Sequence, residues 1–305
     1  MRPDSTILCA GEILWDALPA GLFLGGAPLN VALHLHALDH PVQMVSRIGD
    51  DVLGKEALRR IEQRGMSTNL VQRDDTHQTG FVRVELTNEG VPDYEIVEPV
   101  AWDFIELTSG LQEAAAAADV VVFGSLAQRN RVSRDTICSL LDTDLMGVFD
   151  VNLRPPHDTW PTVRASLQAA TIVKMSEEEL DPILRWAELH KASDPLAAFA
   201  SHFSCDLLCI TRGSNGALLW RDGQTHEHPG FSVEVADTVG VGDAFLAALL
   251  HGVLKGSDTE DLLPFANRVA AYVATQVGPT PSYDRSDLAQ IDRKGAGAPD
   301  LQPRQ

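Results

Sequence analysis

Short, almost uninterrupted apolar runs recur along this chain, and they constrain its fold more than any other feature. Residues 119–124 read Asp-Val-Val-Val-Phe-Gly, and similar runs occupy 6–10, 42–48, 148–151, 171–174 and 207–211. Each is too short for an ordinary helix, and the runs lack the polar–apolar alternation of a strand with one wet face. Stretches with helical spacing, such as 30–38 and 52–64, lie between them. Apolar strands separated by helices predict an α/β fold, a doubly wound and mostly parallel sheet covered on both faces.

One stretch departs from that rhythm. Gly80-Phe81-Val82-Arg83-Val84-Glu85-Leu86 alternates apolar and polar residues, a turn is expected at Asn88-Glu89-Gly90, and a returning strand at 93–97. That is the pattern of a half-exposed β-hairpin. Residues 22–24, just before Gly25-Gly26, are expected to pair with it. The resulting small β-sheet, from about residues 12–28 and 76–100, would form a lid over a site. One domain is expected over residues 1–290, with a flexible Gly- and Pro-containing tail over 291–305.

Charge narrows the partners. The chain has 24 Lys plus Arg against 43 Asp plus Glu, a net charge of −19. So acidic a surface repels nucleic acid and anionic lipid, which need clustered cations. An anionic nucleotide is not excluded, but its phosphates must then meet backbone amides, helix N-termini and a bridging metal. No stretch approaches the 18 apolar residues of a membrane span. Residues 1–11 lack the basic start and long apolar centre of a signal peptide, so a cytoplasmic location is expected. Cys9, Cys138, Cys205 and Cys209 have no metal-ligand spacing and suit small buried side chains in a reducing compartment. His34 and His36, two apart, diverge by roughly 200° on a helix and are no ligand pair.

Gly49-Asp50-Asp51-Val52-Leu53-Gly54-Lys55-Glu56 nearly matches a phosphate loop. The last position must be Ser or Thr to hold Mg²⁺, and Asp50 and Asp51 would place negative charge in the cradle. A strand–turn–helix junction with acids at the helix N-terminus fits better. More informative is Asp237-Thr238-Val239-Gly240-Val241-Gly242-Asp243-Ala244-Phe245, which precedes an apolar helix. Two glycines there let the backbone approach a ligand and turn several free amides toward one point, an anion hole. Asp243 stands at its lip, where a carboxylate can orient and deprotonate an attacking hydroxyl. The alternative is a glycine turn with Asp243 as helix cap.

This segment resembles the C-terminal signature of the ribokinase-like, or PfkB, carbohydrate kinases. Gly25-Gly26-Ala27-Pro28-Leu29-Asn30-Val31-Ala32, more than 200 residues upstream, is similar to the N-terminal signature. Gly11-Glu12 with Asp16, Arg47-Ile48-Gly49-Asp50-Asp51 with Gly54, and Asp150-Val151-Asn152-Leu153-Arg154 look like further landmarks, over roughly residues 5–290. The resemblance implies a ribokinase-like kinase that uses ATP with Mg²⁺ to phosphorylate a small sugar. By that resemblance Asp243 is the general base, and the amides of Gly240, Val241, Gly242 and Asp243 form the anion hole. Asp16, Gly25, Gly26, Asn30, Asn152 and Arg154 would bind sugar, and Trp102 would cover one of its faces. Thr211, Gly213, Gly216 and Asn267 would bind ATP. Glu179 would act indirectly on Mg²⁺, and Asp237, Val239 and Gly278 would hold K⁺. Lids in the family often pair across a dimer, which leaves a homodimer open. Without the resemblance, Asp16 is an exposed acid, Asn30 a helix N-cap, and residues 211–216 a hairpin turn.

Two positions depart from the family pattern. Val241 stands where a small residue is usual, and a β-branched side chain stiffens the turn and is expected to crowd the phosphate. Ser176-Glu177-Glu178-Glu179 replaces Asn-x-x-Glu and is equally a helix capping box. Among family branches, Gly11-Glu12-Ile13-Leu14-Trp15-Asp16 and Ile96-Val97-Glu98-Pro99-Val100-Ala101-Trp102-Asp103 look most like bacterial fructokinases. A ribokinase, a 2-keto-3-deoxygluconate kinase and a nucleoside kinase remain alternatives, with a non-catalytic sugar-binding regulator more remote. Arg83 and Arg154 keep the acid sugar open.

Overall fold

The computed structural model describes residues 5–18, 21–86 and 92–295. The expected turn at Asn88-Glu89-Gly90 and the tail from 296 onward lie outside them. In chain order, β1 (Ile7–Ala10), β2 (Leu14–Leu18) and β3 (Gly21–Gly25) lead to helix α1 (Ala27–Ala37). Then come β4 (Val42–Gly49), α2 (Val52–Gln63), β5 (Val71–Asp74), β6 (Gly80–Leu86), β7 (Pro92–Ile96) and α3 (Ser109–Ala117). The alternation continues with β8 (Val120–Gly124), α4 (Arg131–Leu141), β9 (Met146–Asp150), α5 (Trp160–Ala169), β10 (Ile172–Ser176), α6 (Glu177–Trp186) and α7 (Pro195–Phe203). Last are β11 (Leu207–Thr211), β12 (Ala217–Arg221), β13 (Gln224–His228), α8 (Val241–Lys255), α9 (Thr259–Ala274) and α10 (Arg285–Gly295).

Nine strands form the main sheet in the order β13-β12-β11-β10-β9-β8-β1-β4-β5. Its pairings are parallel from β5 to β11, and only the β11–β12 and β12–β13 pairings are antiparallel. Strand periodicity sorts side chains onto two faces. Ile7, Cys9, Val120, Val122 and Val148 join α1, α2, α8 and α9 in one layer. Leu8, Ala10, Val121, Phe123 and Phe149 join α4, α5, α6 and α7 in the other. The α/β fold expected from the apolar runs is present. Cys9, Cys205 and Cys209 are buried and Cys138 partly so, all as free thiols.

The second sheet, ordered β3-β2-β6-β7, is the lid. Here the expectation needs correction, because residues 22–24 do not pair with the hairpin. Strand β2 intervenes, antiparallel to β3 and parallel to β6. Helix α1 also begins earlier than its apolar spacing suggested. Gly26 caps it at φ 111°, and Pro28 lies in its first turn, where a missing N–H costs nothing. Asn30 is therefore inside the helix and not its cap. At the other terminus α10 continues to Gly295 and buries Ile291, so the expected tail from 291 begins inside a helix.

The phosphate-loop lookalike is a strand–turn–helix junction. Asp51 caps α2, its Oδ1 accepting from the Gly54 N–H at 2.7 Å and the Thr79 hydroxyl at 2.8 Å. Its Oδ2 accepts the Thr79 N–H at 2.8 Å, which fixes the base of β6. Burial opposes charge on Asp51, but these bonds outweigh it and hold the carboxyl below its ordinary value. Asp51→Ala should therefore lower stability by about 1–3 kcal/mol, read from urea unfolding. Because the folded-state pKa is depressed, that contribution is full above the unfolded value near 3.8 and fades as pH falls through it. A gap that widens in acid would contradict this role.

Candidate active site

From β1 the chain first builds outward through β4 and β5, then crosses to the opposite side at β8, β9 and β10. Ligand crevices form at such a reversal, outside the carboxyl ends of the strands. A cavity of about 830 Å³ occupies that place, large enough for a small organic substrate. Its floor includes Glu12, Asn152, Arg154 and Lys174, and the lid contributes Asp16, Val82, Glu95 and Ile96. Gly26, Ala27 and Asn30 from α1 meet Thr238, Val239, Gly240, Gly242 and Asp243 from the start of α8.

The α8 terminus is built for close approach. Gly240 caps the helix at φ 74°, and a Cβ there would lie 2.4 Å from Pro279 Cβ, so only glycine fits. The N–H groups of Gly242 and Asp243 occupy positions with no carbonyl one turn earlier. Val241 does not crowd the cavity as expected. Its side chain turns from the cavity and packs partly buried against the core, and its N–H makes a 3.4 Å bond to the Thr238 carbonyl. Asp243 is 9% exposed, and its Oδ2 accepts from Asn30 Nδ2 at 2.8 Å. Burial raises its pKa; Lys174, Asn30 and Arg154 only partly counter this.

Asp16 lines the cavity from β2, its carboxyl raised to about 6 by burial, with Arg154 opposing. A Cβ on Gly25 would come within 2.5 Å of Asp16 Oδ2, so that glycine makes room for the carboxylate. A Cβ on Gly26 would strike the Glu12 carbonyl at 2.3 Å. Asn30 Oδ1 is buried without a protein partner.

Trp102 does not reach the sugar position expected of it. It is fully buried against Gly80, with the Arg129 guanidinium stacked 4.0 Å over its ring. Asp103 takes that guanidinium with both oxygens, at 2.7 and 2.8 Å, and Arg129 also donates to the Val97 carbonyl at 2.8 Å. Trp102 therefore helps anchor the lid. Burial forbids the stacking role.

Thr211, Gly213, Gly216 and Asn267 do not line this cavity. Thr211 ends β11 in register with Ser176 of β10, and residues 212–216 connect the antiparallel pair β11–β12. Asn267 lies in α9, 6% exposed, its Nδ2 donating to the Leu263 carbonyl at 2.8 Å. Glu179 closes a capping box with Ser176 and accepts the Leu153 N–H at 2.6 Å and the Ser176 N–H at 2.7 Å. Asp237 draws the three expected K⁺ positions together, accepting from the Val239 N–H at 3.0 Å and the Gly278 N–H at 3.1 Å.

Comparison with known proteins agrees with this arrangement. The family description "pfkB family carbohydrate kinase" matches residues 19–285. The chain belongs to the pfkB family of carbohydrate kinases. A sugar kinase of Pyrococcus horikoshii, itself uncharacterized, is 31% identical over 276 residues, covering 86% of this chain and 84% of that one. A fructokinase of Escherichia coli is 29% identical, covering 88% and 92%. The Pyrococcus kinase, solved in complex with ATP, superposes with TM-score 0.77 at 28% identity over 93% of this chain and 99% of that one. A Vibrio cholerae fructokinase holding fructose, ADP and potassium shares the fold, with TM-score 0.80 at 24% identity over 95% and 99%. Among the described residues no helix is long and apolar enough to cross a membrane.

Sequence reasoning assigned no role in this carbohydrate kinase to Glu12 or Lys174. Lys174 left a signal, a single cation inside the apolar run Ile-Val-Lys-Met, where a buried lysine needs a partner. Glu12 is 3% exposed; its Oε1 accepts the Ala27 N–H at 3.1 Å, and its Oε2 has no partner. Burial raises its pKa to about 7, against the bond from Ala27, with Asp243 adding to the rise. From the ordinary glutamate value of 4.5 up to about 7, the folded chain keeps a proton that the unfolded chain has lost. Glu12 should contribute a loss of up to about 3 kcal/mol across that window as pH rises, and Glu12→Gln should make the wild-type slope shallower by that share. Thermal unfolding of both from pH 4 to 8 measures it; parallel curves would rule the assignment out.

Proposed function

We propose that this carbohydrate kinase transfers the γ-phosphoryl group of ATP to D-fructose in the cytoplasm. The observation that carries the transfer reading is Asp243, placed beside the free amides of the α8 N-terminus and held by Asn30 in the same cavity as Asp16. Binding alone needs no carboxylate beside an anion hole, which disfavours a regulator. The preference for fructose is supported by the 29% identity to the fructokinase of Escherichia coli and by the sequence around Asp16.

In this reading Asp16 and Asn30 accept or donate hydrogen bonds to sugar hydroxyls, whose vicinal geometry suits short Asp and Asn side chains. Asp243 receives the proton of the attacking hydroxyl as its oxygen bonds to the γ-phosphorus and the bond to the bridging oxygen of ADP breaks. The amides of Gly242 and Asp243 donate to the transferring oxygens. Thr211, Gly213, Gly216 and Asn267 take the nucleotide. Among the described residues no three His, Cys, Asp or Glu side chains gather as a metal cage. Mg²⁺ would arrive on the phosphates, where it neutralises charge, and Glu179 would act on it only indirectly through the backbone it fixes. Asp237 with the Val239 and Gly278 segments offers oxygen donors suited to K⁺. Arg83 is engaged by Glu95 at 2.9 Å, so only Arg154 of the two arginines faces the cavity to attract an acid sugar.

Asp243→Asn should retain ATP binding and lose turnover by roughly 10²–10⁴-fold; a variant keeping more than about a tenth of wild-type kcat would sink the base assignment. Asp16→Ala and Asn30→Ala should raise sugar KM by about 5–150-fold, corresponding to about 1–3 kcal/mol, with ATP KM nearly unchanged. Initial rates with fructose, ribose, 2-keto-3-deoxygluconate and adenosine, with and without K⁺, test the substrate. Higher kcat/KM for the acid sugar or the nucleoside would overturn fructose and leave the transfer reading intact.

A further inference from the structure

Lys174 is 6% exposed in the middle of β10, and it lines the active-site cavity. Its neighbour in register on β9 is Asp150, 3% exposed, and Lys174 Nζ lies 2.9 and 3.1 Å from the two Asp150 oxygens. The same ammonium lies 3.1 Å from where a Cβ on Gly242 would stand. Gly242 is thus bare on the side where the lysine approaches the start of α8. Burial alone would strip the proton from Lys174, but Asp150 and Asp243 outweigh it and hold its pKa above the ordinary lysine value.

The neighbouring polar groups are otherwise committed. Ser176, two residues on and on the same face of β10, is used by its own helix cap, and Glu179 binds two backbone amides. Arg154, the other cation lining the cavity, is exposed and donates to the Leu153 carbonyl. Developing charge on a transferred phosphoryl group therefore has one buried, fixed cation next to the α8 amides.

We propose that Lys174 is a catalytic residue that donates to the γ-phosphoryl oxygens in the transition state, with Asp150 as the positioning residue that holds its ammonium under Gly242. The proposal rests on the phosphoryl-transfer reading of the site. Lys174 keeps its proton throughout. The sugar oxygen bonds to phosphorus, the bridging bond to ADP breaks, and the hydroxyl proton goes to Asp243. A preorganised donor of this kind in a water-poor site contributes about 10²–10³ in turnover.

Removing the lysine alone would leave a buried carboxylate, so the test pairs Lys174→Met with the double variant Lys174→Met/Asp150→Asn, which takes out both charges. Thermal unfolding establishes folding, and calorimetry gives affinities for MgADP and for MgADP with aluminium fluoride and fructose. The expected result is a fall in kcat of about 10²-fold in the folded variants. MgADP affinity should stay within about threefold, with loss of the extra tightness conferred by aluminium fluoride. If the double variant keeps more than a tenth of wild-type kcat, or if MgADP affinity falls as far as kcat, the lysine is structural or a ground-state nucleotide contact and the proposal is overturned. A wild type inactive on every sugar refutes the substrate reading instead; the comparison is then made with MgADP and aluminium fluoride without sugar, and equal tightening in wild type and double variant overturns the role of Lys174.

Discussion

The 2.8 Å hydrogen bond from Asn30 to Asp243 joins residues 213 apart in sequence, and the geometry of the site depends on it. It links the first turn of α1, which begins where the lid ends, to the first turn of α8, which presents the amides. Helices α1 and α8 pack together on one face of the sheet, and both start at the cavity. Without the contact, the carboxylate would be a buried charge with an open rotamer, and burial would favour its neutral form. With it, one oxygen is fixed and the other is left to take part in chemistry.

Electrostatics then follow from a chain that is acidic overall. Glu12, Asp16, Glu95, Glu98 and Asp243 all border the cavity. Phosphates enter such a place only if donors are concentrated at one point, and in the proposed reaction that point would be the helix terminus with Lys174 behind it. Asp16, on the lid side of the cavity, would suit the proposed sugar, since hydroxyl groups are natural partners of a carboxylate.

Much of this was legible beforehand, for identifiable reasons. Buried parallel strands announce themselves as unbroken apolar runs, because neither face meets water, and 207–211 was placed to the residue. The glycines at 240 and 242 were readable because backbone approach leaves few other choices. What failed depended on depth and on neighbours. Trp102 lies in a stretch that borders the lid, yet whether an indole faces a cavity or a core is settled by packing, and Arg129 and Gly80 settle it here. Asn30 resembled a cap because polar residues often begin helices, although Pro28 already marked the earlier start. Lys174 went unassigned because its partner is on another strand, 24 residues away.

The tight fit of Gly25 against Asp16 and of Gly26 against Glu12 also bears on how such a site can diversify. Gly25 leaves its side-chain volume to the Asp16 carboxylate and Gly26 leaves its own to the Glu12 backbone carbonyl, so neither glycine can take a side chain while its neighbour stays in place. A methyl group at 25 meets the acid, and one at 26 meets main chain that cannot swing aside. If the cavity takes the proposed sugar, drift in preference is channelled away from this wall. Arg154, exposed at the cavity in the irregular stretch after β9, is freer to change. There the chain can exchange charge outside the sheet, whereas Asn152, at φ 40°, holds a left-handed backbone that few other residues accept.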